Sequence, residues 1–106
     1  MTATTQTQPC VYDREVSRLG GNLTTPLWWL SFCNSDMPKG EQFLGVCIVP
    51  GTWLVDAVRK AHKLGCNPGG EVSGSKLQRA VVLKDGEAGR LMNRAEAEHF
   101  LNRSRS

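Results

Sequence analysis

Residues 64–72, LGCNPGGEV, place one carboxylate, Glu71, behind Gly69 and Gly70, with the amide of Asn67 just upstream. This composition suits recognition of a small polar ligand. Glycines let a ligand approach the backbone closely, and Glu71 can accept charge-assisted bonds from ribose hydroxyls or a base amine. The same residues also suit a plain connector from helix to strand. A turn needs one glycine and this stretch holds two, so both uses stay open. A second candidate is Pro50-Gly51-Thr52-Trp53. A helix starting there offers free N–H groups and a positive dipole end to an anion, and Trp53 could stack on a base or sugar. The competing use makes Thr52 a helix N-cap and Trp53 a partly buried staple. A third is His62 with Cys66, one helical turn apart, a spacing at which imidazole can activate a thiol. Gly65 interrupts the helix between them, and His62 fits an ordinary place at a helix C-terminus, so no catalytic pair is assigned. A hydrolase built on Glu71 and His62 has no better support.

Other chemistries leave no pattern. The chain has no GxSxG elbow, no HExxH and no phosphate-binding loop ending in Lys-Ser/Thr. Cysteines 10, 33, 47 and 66 form no CxxC pair, and the only histidines are 62 and 99, so no zinc-ligand spacing appears. The thiols read as small core residues of a reducing compartment. No metal and no cofactor is expected.

The elements that must position these residues follow from periodicity. Residues 26–33, PLWWLSFC, alternate as a strand with Trp28, Leu30 and Phe32 on one face and Leu27, Trp29, Ser31 and Cys33 on the other. Residues 42–49, QFLGVCIV, form a second strand ended by Pro50-Gly51. Residues 53–64 form a helix with an apolar stripe of Leu54, Ala57, Val58, Ala61 and Leu64, cations in its last turns, and Gly65 as its stop. EVSGSKL is a third strand, and residues 79–84, RAVVLK, continue it or form a fourth. Asn93 and Glu96 have capping-box spacing for a helix over 90–103, whose apolar face is only Ala97, Phe100 and Leu101.

The predicted fold is α+β: a ββαβ core over 26–84 with a three- to four-stranded mixed sheet and one packed helix. Residues 1–25 are assigned to an N-terminal tail whose weak middle, CVYDREVSRLGGN, is a short helix, a strand or disordered, and 85–106 to a C-terminal helix and basic tail. The doubly apolar first strand belongs in the middle of the sheet. One helix covers one face. The other, holding Trp28, Leu30 and Phe32 or Leu27 and Trp29, is then a ligand groove or an interface, covered by the terminal helix or a second copy. A homodimer is expected, since so small a core is marginal alone.

The 106 residues suffice for one domain, and the net charge is +3. Seven Lys/Arg against four Asp/Glu fall in 76–106, while 1–75 balance. That excess is too diffuse to indicate a nucleic-acid surface. No apolar run approaches the roughly 20 residues of a membrane span. The polar start lacks signal-peptide character, so a cytoplasmic place is expected.

Trp28-Trp29-Leu30-Ser31-Phe32, then Phe43-Leu44-Gly45, then the string from Ala57 through Ala61, Leu64 and Gly65 to Asn67-Pro68-Gly69-Gly70-Glu71-Val72, resemble the core of a family of small bacteriophage and bacterial proteins. The match spans residues 28–72, and its specific part is NPGGEV. The resemblance implies a non-enzymatic counter-defence factor acting in the host cytoplasm. One such class sequesters nucleotide-derived immune signals; another, like anti-CRISPR proteins, blocks a host defence protein. Glycine openings, tryptophans and an expected dimer favour the first. A small hydrolase of such a signal is the third alternative.

Overall fold

The computed structural model describes residues 10–104. Residues 1–9 of the predicted N-terminal tail and residues 105–106 of the basic tail lie outside the described residues. The elements run α1 (Val11–Arg18), β1 (Leu27–Cys33), β2 (Phe43–Pro50), α2 (Leu54–Lys63), β3 (Glu71–Lys76) and α3 (Arg94–Ser104). The three strands form an open sheet in the order β2-β1-β3. The chain is thus a small α+β protein with β1 at the centre, as its two apolar faces require. Both neighbours run antiparallel to β1. The sheet is therefore antiparallel rather than mixed: β2 and β3 are parallel to each other, but β1 lies between them.

Each face of the sheet carries its own core. Trp28, Leu30 and Phe32 of β1, with Cys47 and Val49 of β2, pack under Ala57 and Ala61 of α2 and under Cys66. Ala57 and Ala61 are fully buried and Val58 is partly buried, while Lys63 is exposed. The opposite face, Leu27, Val46 and Ile48, is covered by Tyr12, Val16 and Leu19 at one end of the chain and by Met92, Ala97 and Phe100 at the other. This removes the ground on which a second copy was expected over that face. It also corrects the tail assignment: residues 11–19 are a helix and its cap, locked into the core. The Tyr12 hydroxyl accepts the Leu27 N–H at 2.8 Å and donates to the Leu77 carbonyl at 3.2 Å, bridging β1 to the end of β3. Burial raises the Tyr12 pKa.

Both helix-end signals at the C-terminal side of the chain are realised. The Gly65 N–H bonds the His62 carbonyl at 3.1 Å and the Cys66 N–H bonds the Ala61 carbonyl at 3.0 Å, the Schellman pattern, with Gly65 at φ +78°. Cys66 thereby turns into the core beside Cys47. The Cys66 sulfur and burial push the Cys47 thiol upward. Cys47 and Cys66 are core residues as expected, whereas Cys10 and Cys33 are exposed and not in the core. At α3, the Glu96 N–H bonds Asn93 Oδ1 at 2.9 Å and the Asn93 N–H bonds Glu96 Oε1 at 3.1 Å. The Asn93 N–H and Arg90 hold the Glu96 carboxyl below its usual range.

Residues 79–84 form no strand. The chain crosses the second core irregularly, burying Leu83, and reaches β2 only at Met92. There the Met92 N–H bonds the Val46 carbonyl at 2.6 Å, the Val46 N–H bonds the Met92 carbonyl at 3.0 Å, and the Gly89 N–H bonds the Ile48 carbonyl at 2.7 Å. These bonds cover the outer edge of β2. Gly45 makes room for them: a Cβ there would lie 2.9 Å from the Met92 carbonyl oxygen.

Candidate ligand groove

The residues singled out from sequence fall in three places. NPGGEV lies where β3 begins, at the end of β1 marked by the Cys33–Glu71 pair. Thr52 and Trp53 follow Pro50, which pairs with Leu27 at the other end of β1. Six residue steps along β1 put these two places about 20 Å apart. Trp29 is on the opposite face from α2. The structure therefore does not gather Asn67, Gly69, Gly70, Glu71, Thr52, Trp53 and Trp29 into one site.

At NPGGEV both glycines have backbone reasons. Asn67 Oδ1 accepts the Gly69 N–H at 2.8 Å, closing the turn. Gly69 has φ +92° in open space. Gly70 has φ +78°, and a Cβ there would stand 2.4 Å from the Cys33 carbonyl oxygen. The second glycine is thus not spare; it lets β3 start tightly against β1. Glu71 is exposed and accepts a bond from the Ser35 hydroxyl, tying this turn to the β1–β2 loop. Gly69→Ala is expected to cost about 1 kcal/mol, and Gly70→Ala at least about 1 kcal/mol more, since strain is joined by a backbone clash. Urea unfolding of the two variants checks this, and equal costs would mean that the close approach to Cys33 is absent in solution.

At the start of α2, Trp53 and not Thr52 holds the N-cap position, with extended backbone (φ −132°, ψ 166°) and no side-chain cap. The Asp56 carboxylate instead accepts the Thr52 N–H at 2.9 Å. The Asp56 carboxylate thus engages the Thr52 N–H and lines the small cleft beside Gly51 and Thr52. That corrects Thr52 as the cap. Trp53 is 70% exposed, so it is no buried staple either.

Trp29 occupies a different setting. A groove of about 240 Å³ runs between the sheet and α3, lined by Trp29, Ser31, Phe43, Arg94, Glu98 and Leu101 among others. Trp29 packs against buried Phe100, with ring centroids 5.3 Å apart and planes at 33°. The Arg94 guanidinium lies 5.1 Å from the centre of the Phe43 ring. Two aromatic rings, a hydroxyl, a cation and a carboxylate thus converge on one apolar slot, the usual make-up of a small-molecule site. The volume is below the roughly 300–1,000 Å³ of sites that enclose a whole ligand. It suits one planar ring, with the remainder of the molecule outside beside Arg94. Sequence reasoning singled out Trp29 as a ligand residue but missed Ser31, Phe43, Arg94, Glu98 and Leu101. One signal was present: Arg94, Glu98 and Leu101 fall at i, i+4 and i+7, one helical face.

No family model matches this chain, and neither a curated protein nor a solved structure matches it. Among the described residues no cluster of His, Cys, Asp and Glu is arranged to hold a metal ion, and no helix is long and apolar enough to cross a membrane.

Proposed function

We propose that this chain is a non-enzymatic binding protein that sequesters a small nucleotide-derived ligand, with one ring seated in the Trp29 groove. The supporting observation is the convergence of Trp29, Phe43, Arg94 and Glu98 on a slot of one-ring size. Stacking on aromatic and guanidinium faces binds bases without needing a particular sequence of donors, at roughly 1–3 kcal/mol per base. Glu98 and Ser31 add acceptors for ring or ribose donors, and Arg94 adds a cation for a phosphate. The resemblance over residues 28–72 supplies the biological side: a phage-type counter-defence factor in the host cytoplasm, with an immune signal as the ligand. A second reading, a protein-binding inhibitor of a host defence complex, draws on the exposed Trp53 and Val55 (70% and 62%).

The deciding experiment incubates the protein with a panel of cyclic nucleotides and ADP-ribose derivatives, releases bound material by heat and identifies it by mass. Intact ligand supports sequestration. Altered ligand makes the protein an enzyme, and no binding favours the protein partner. Arg94→Glu is expected to weaken binding of a phosphorylated ligand at least about tenfold, the equivalent of one charge-assisted bond. Its melting temperature should stay near that of the parent, since Arg94 is exposed in the first turn of α3. Glu71→Gln should leave binding unchanged. The reverse pattern, with Glu71→Gln damaging and Arg94→Glu silent, would place the site at NPGGEV.

A further inference from the structure

The two edges of the sheet are treated differently. The outer edge of β2 is bonded by Gly89 and Met92. Among the described residues nothing pairs with the outer side of β3. An unpaired edge is a template for another strand, and proteins ordinarily blunt it with proline, a bulge or inward charge. Residues 71–76, EVSGSK, contain no proline, carry charge only at their two ends, Glu71 and Lys76, and pair with β1 without a register shift. The centre of the strand is Ser73-Gly74-Ser75, flat and small.

The hydrogen-bond pattern fixes which residues offer their backbone to that edge. The Leu77 N–H bonds the Leu27 carbonyl at 2.8 Å, pointing toward β1. Along a strand, successive residues send their N–H and C=O groups to opposite sides. Ser75, Ser73 and Glu71 therefore bond β1, while Val72, Gly74 and Lys76 present theirs outward. The axis of a strand that pairs with itself can pass through a hydrogen-bonded pair, at one of these three, or through a non-hydrogen-bonded pair, at Ser73 or Ser75. Only an axis at Gly74 pairs all three outward residues with one another.

We propose that the outer edge of β3 is an interface with a second copy of this chain, paired antiparallel about a two-fold axis at Gly74. Val72 then faces Lys76 of the second copy, Gly74 faces Gly74, and roughly six backbone hydrogen bonds form. The apolar stem of Lys76 covers the partly buried Val72. Leu54 stands directly over Gly74: a Cβ on Gly74 would lie 2.4 Å from Leu54 Cδ1. Leu54 is still 36% exposed, and Trp53 and Val55 beside it in sequence are 70% and 62% exposed. Leu54 thus adds exposed apolar surface beside the strand, toward the roughly 1,200 Å² or more that a stable interface buries. The pairing also closes. Two three-stranded sheets become one of six, and both of its outer edges are β2 edges already covered by residues 89–92. This inference does not rest on the ligand proposal.

Ser73 and Ser75 are exposed and face away from α2, and about this axis Ser73 of one copy stands opposite Ser75 of the other. Sedimentation velocity from about 1 to about 100 µM reads the association. The parent chain is expected to be a dimer within that range. Ser73→Lys with Ser75→Lys sets like charges opposite each other twice, and should weaken the dimer at least about tenfold. Ser73→Glu with Ser75→Lys sets opposite charges across the axis, and should keep the dimer or tighten it. A parent chain that stays monomeric, or larger open assemblies, would overturn the proposal. So would a dimer untouched by the double lysine variant, or one broken equally by both variants while circular dichroism shows each folded.

Discussion

Phe100→Ala is expected to lower stability by about 3–5 kcal/mol, the usual cost of emptying a fully buried aromatic site. Phe100 is 1% exposed and joins α3 to the sheet through Trp29. The Arg103 guanidinium lies 5.4 Å from its ring centre and is held there by Nη2, which donates to both carboxylate oxygens of Glu87 at 2.5 and 2.7 Å. The remaining buried apolar side chain of α3 is Ala97, which is too small to hold the helix alone. Loss of Phe100 should therefore release α3 as a unit, visible as a drop in the urea midpoint and loss of helical signal. One wall of the groove would go with it, so ligand binding should fall further than in Arg94→Glu. Leu101→Ala is the control, because Leu101 is 39% exposed and should cost less than about 1 kcal/mol. A Phe100→Ala cost as small as that control would mean that α3 does not dock on the sheet in solution.

What could be read from the sequence was local or two-sided, and what could not was held by distant partners. PLWWLSFC is apolar on both faces, so its central place follows from burial alone. Gly65 after a cation-rich turn and Asn93 three residues before Glu96 are complete signals within one helical turn. α1 is the opposite case. Tyr12, Val16 and Leu19 have helical spacing, but Glu15 falls among them and spoils the stripe. Its partners, Gly86 and Ala88, are more than 70 residues away. The Trp29 groove draws on residues near 30, 43 and 98, and no local pattern marks such a set. The second glycine of NPGGEV looked superfluous because its neighbour, the Cys33 carbonyl, belongs to another strand. Residues 89–92 reach the β2 edge through three backbone hydrogen bonds, which no periodicity records. At Thr52 the cap rule failed because the helix starts one residue later, with Trp53 at the N-cap, and the Thr52 N–H donates to the Asp56 carboxylate instead.

Glu15 carries the other large effect, and pH reveals it. Its carboxylate is 3% exposed under the loop of residues 85–88. Oε1 accepts from Arg18 Nη2 at 2.9 Å, from the Gly86 N–H at 3.0 Å and from the Ala88 N–H at 3.4 Å; Oε2 accepts from Arg18 Nε at 2.9 Å. The hydrogen bonds from Arg18 come first among the causes that hold its pKa below the ordinary 4.5. The other charged group acting on Arg18 is Asp85, which is itself paired with Arg14 at 3.5 Å. A folded pKa below the unfolded one means that this stabilisation is complete above about pH 4.5. It fades as pH falls toward the folded value. Glu15→Ala is expected to cost about 2–4 kcal/mol at pH 7. It removes a charged anchor and leaves two backbone N–H groups without an acceptor, while the half-exposed Arg18 can turn to water. The variant should also show a shallower loss of stability with acid than the parent. Arg18→Ala keeps the carboxylate but takes away its cation, so its acid transition should move to higher pH. Urea midpoints measured from pH 7 down to pH 3 separate the three proteins. Parallel acid profiles for the parent and Glu15→Ala would show that this carboxylate does not anchor α1 to the loop.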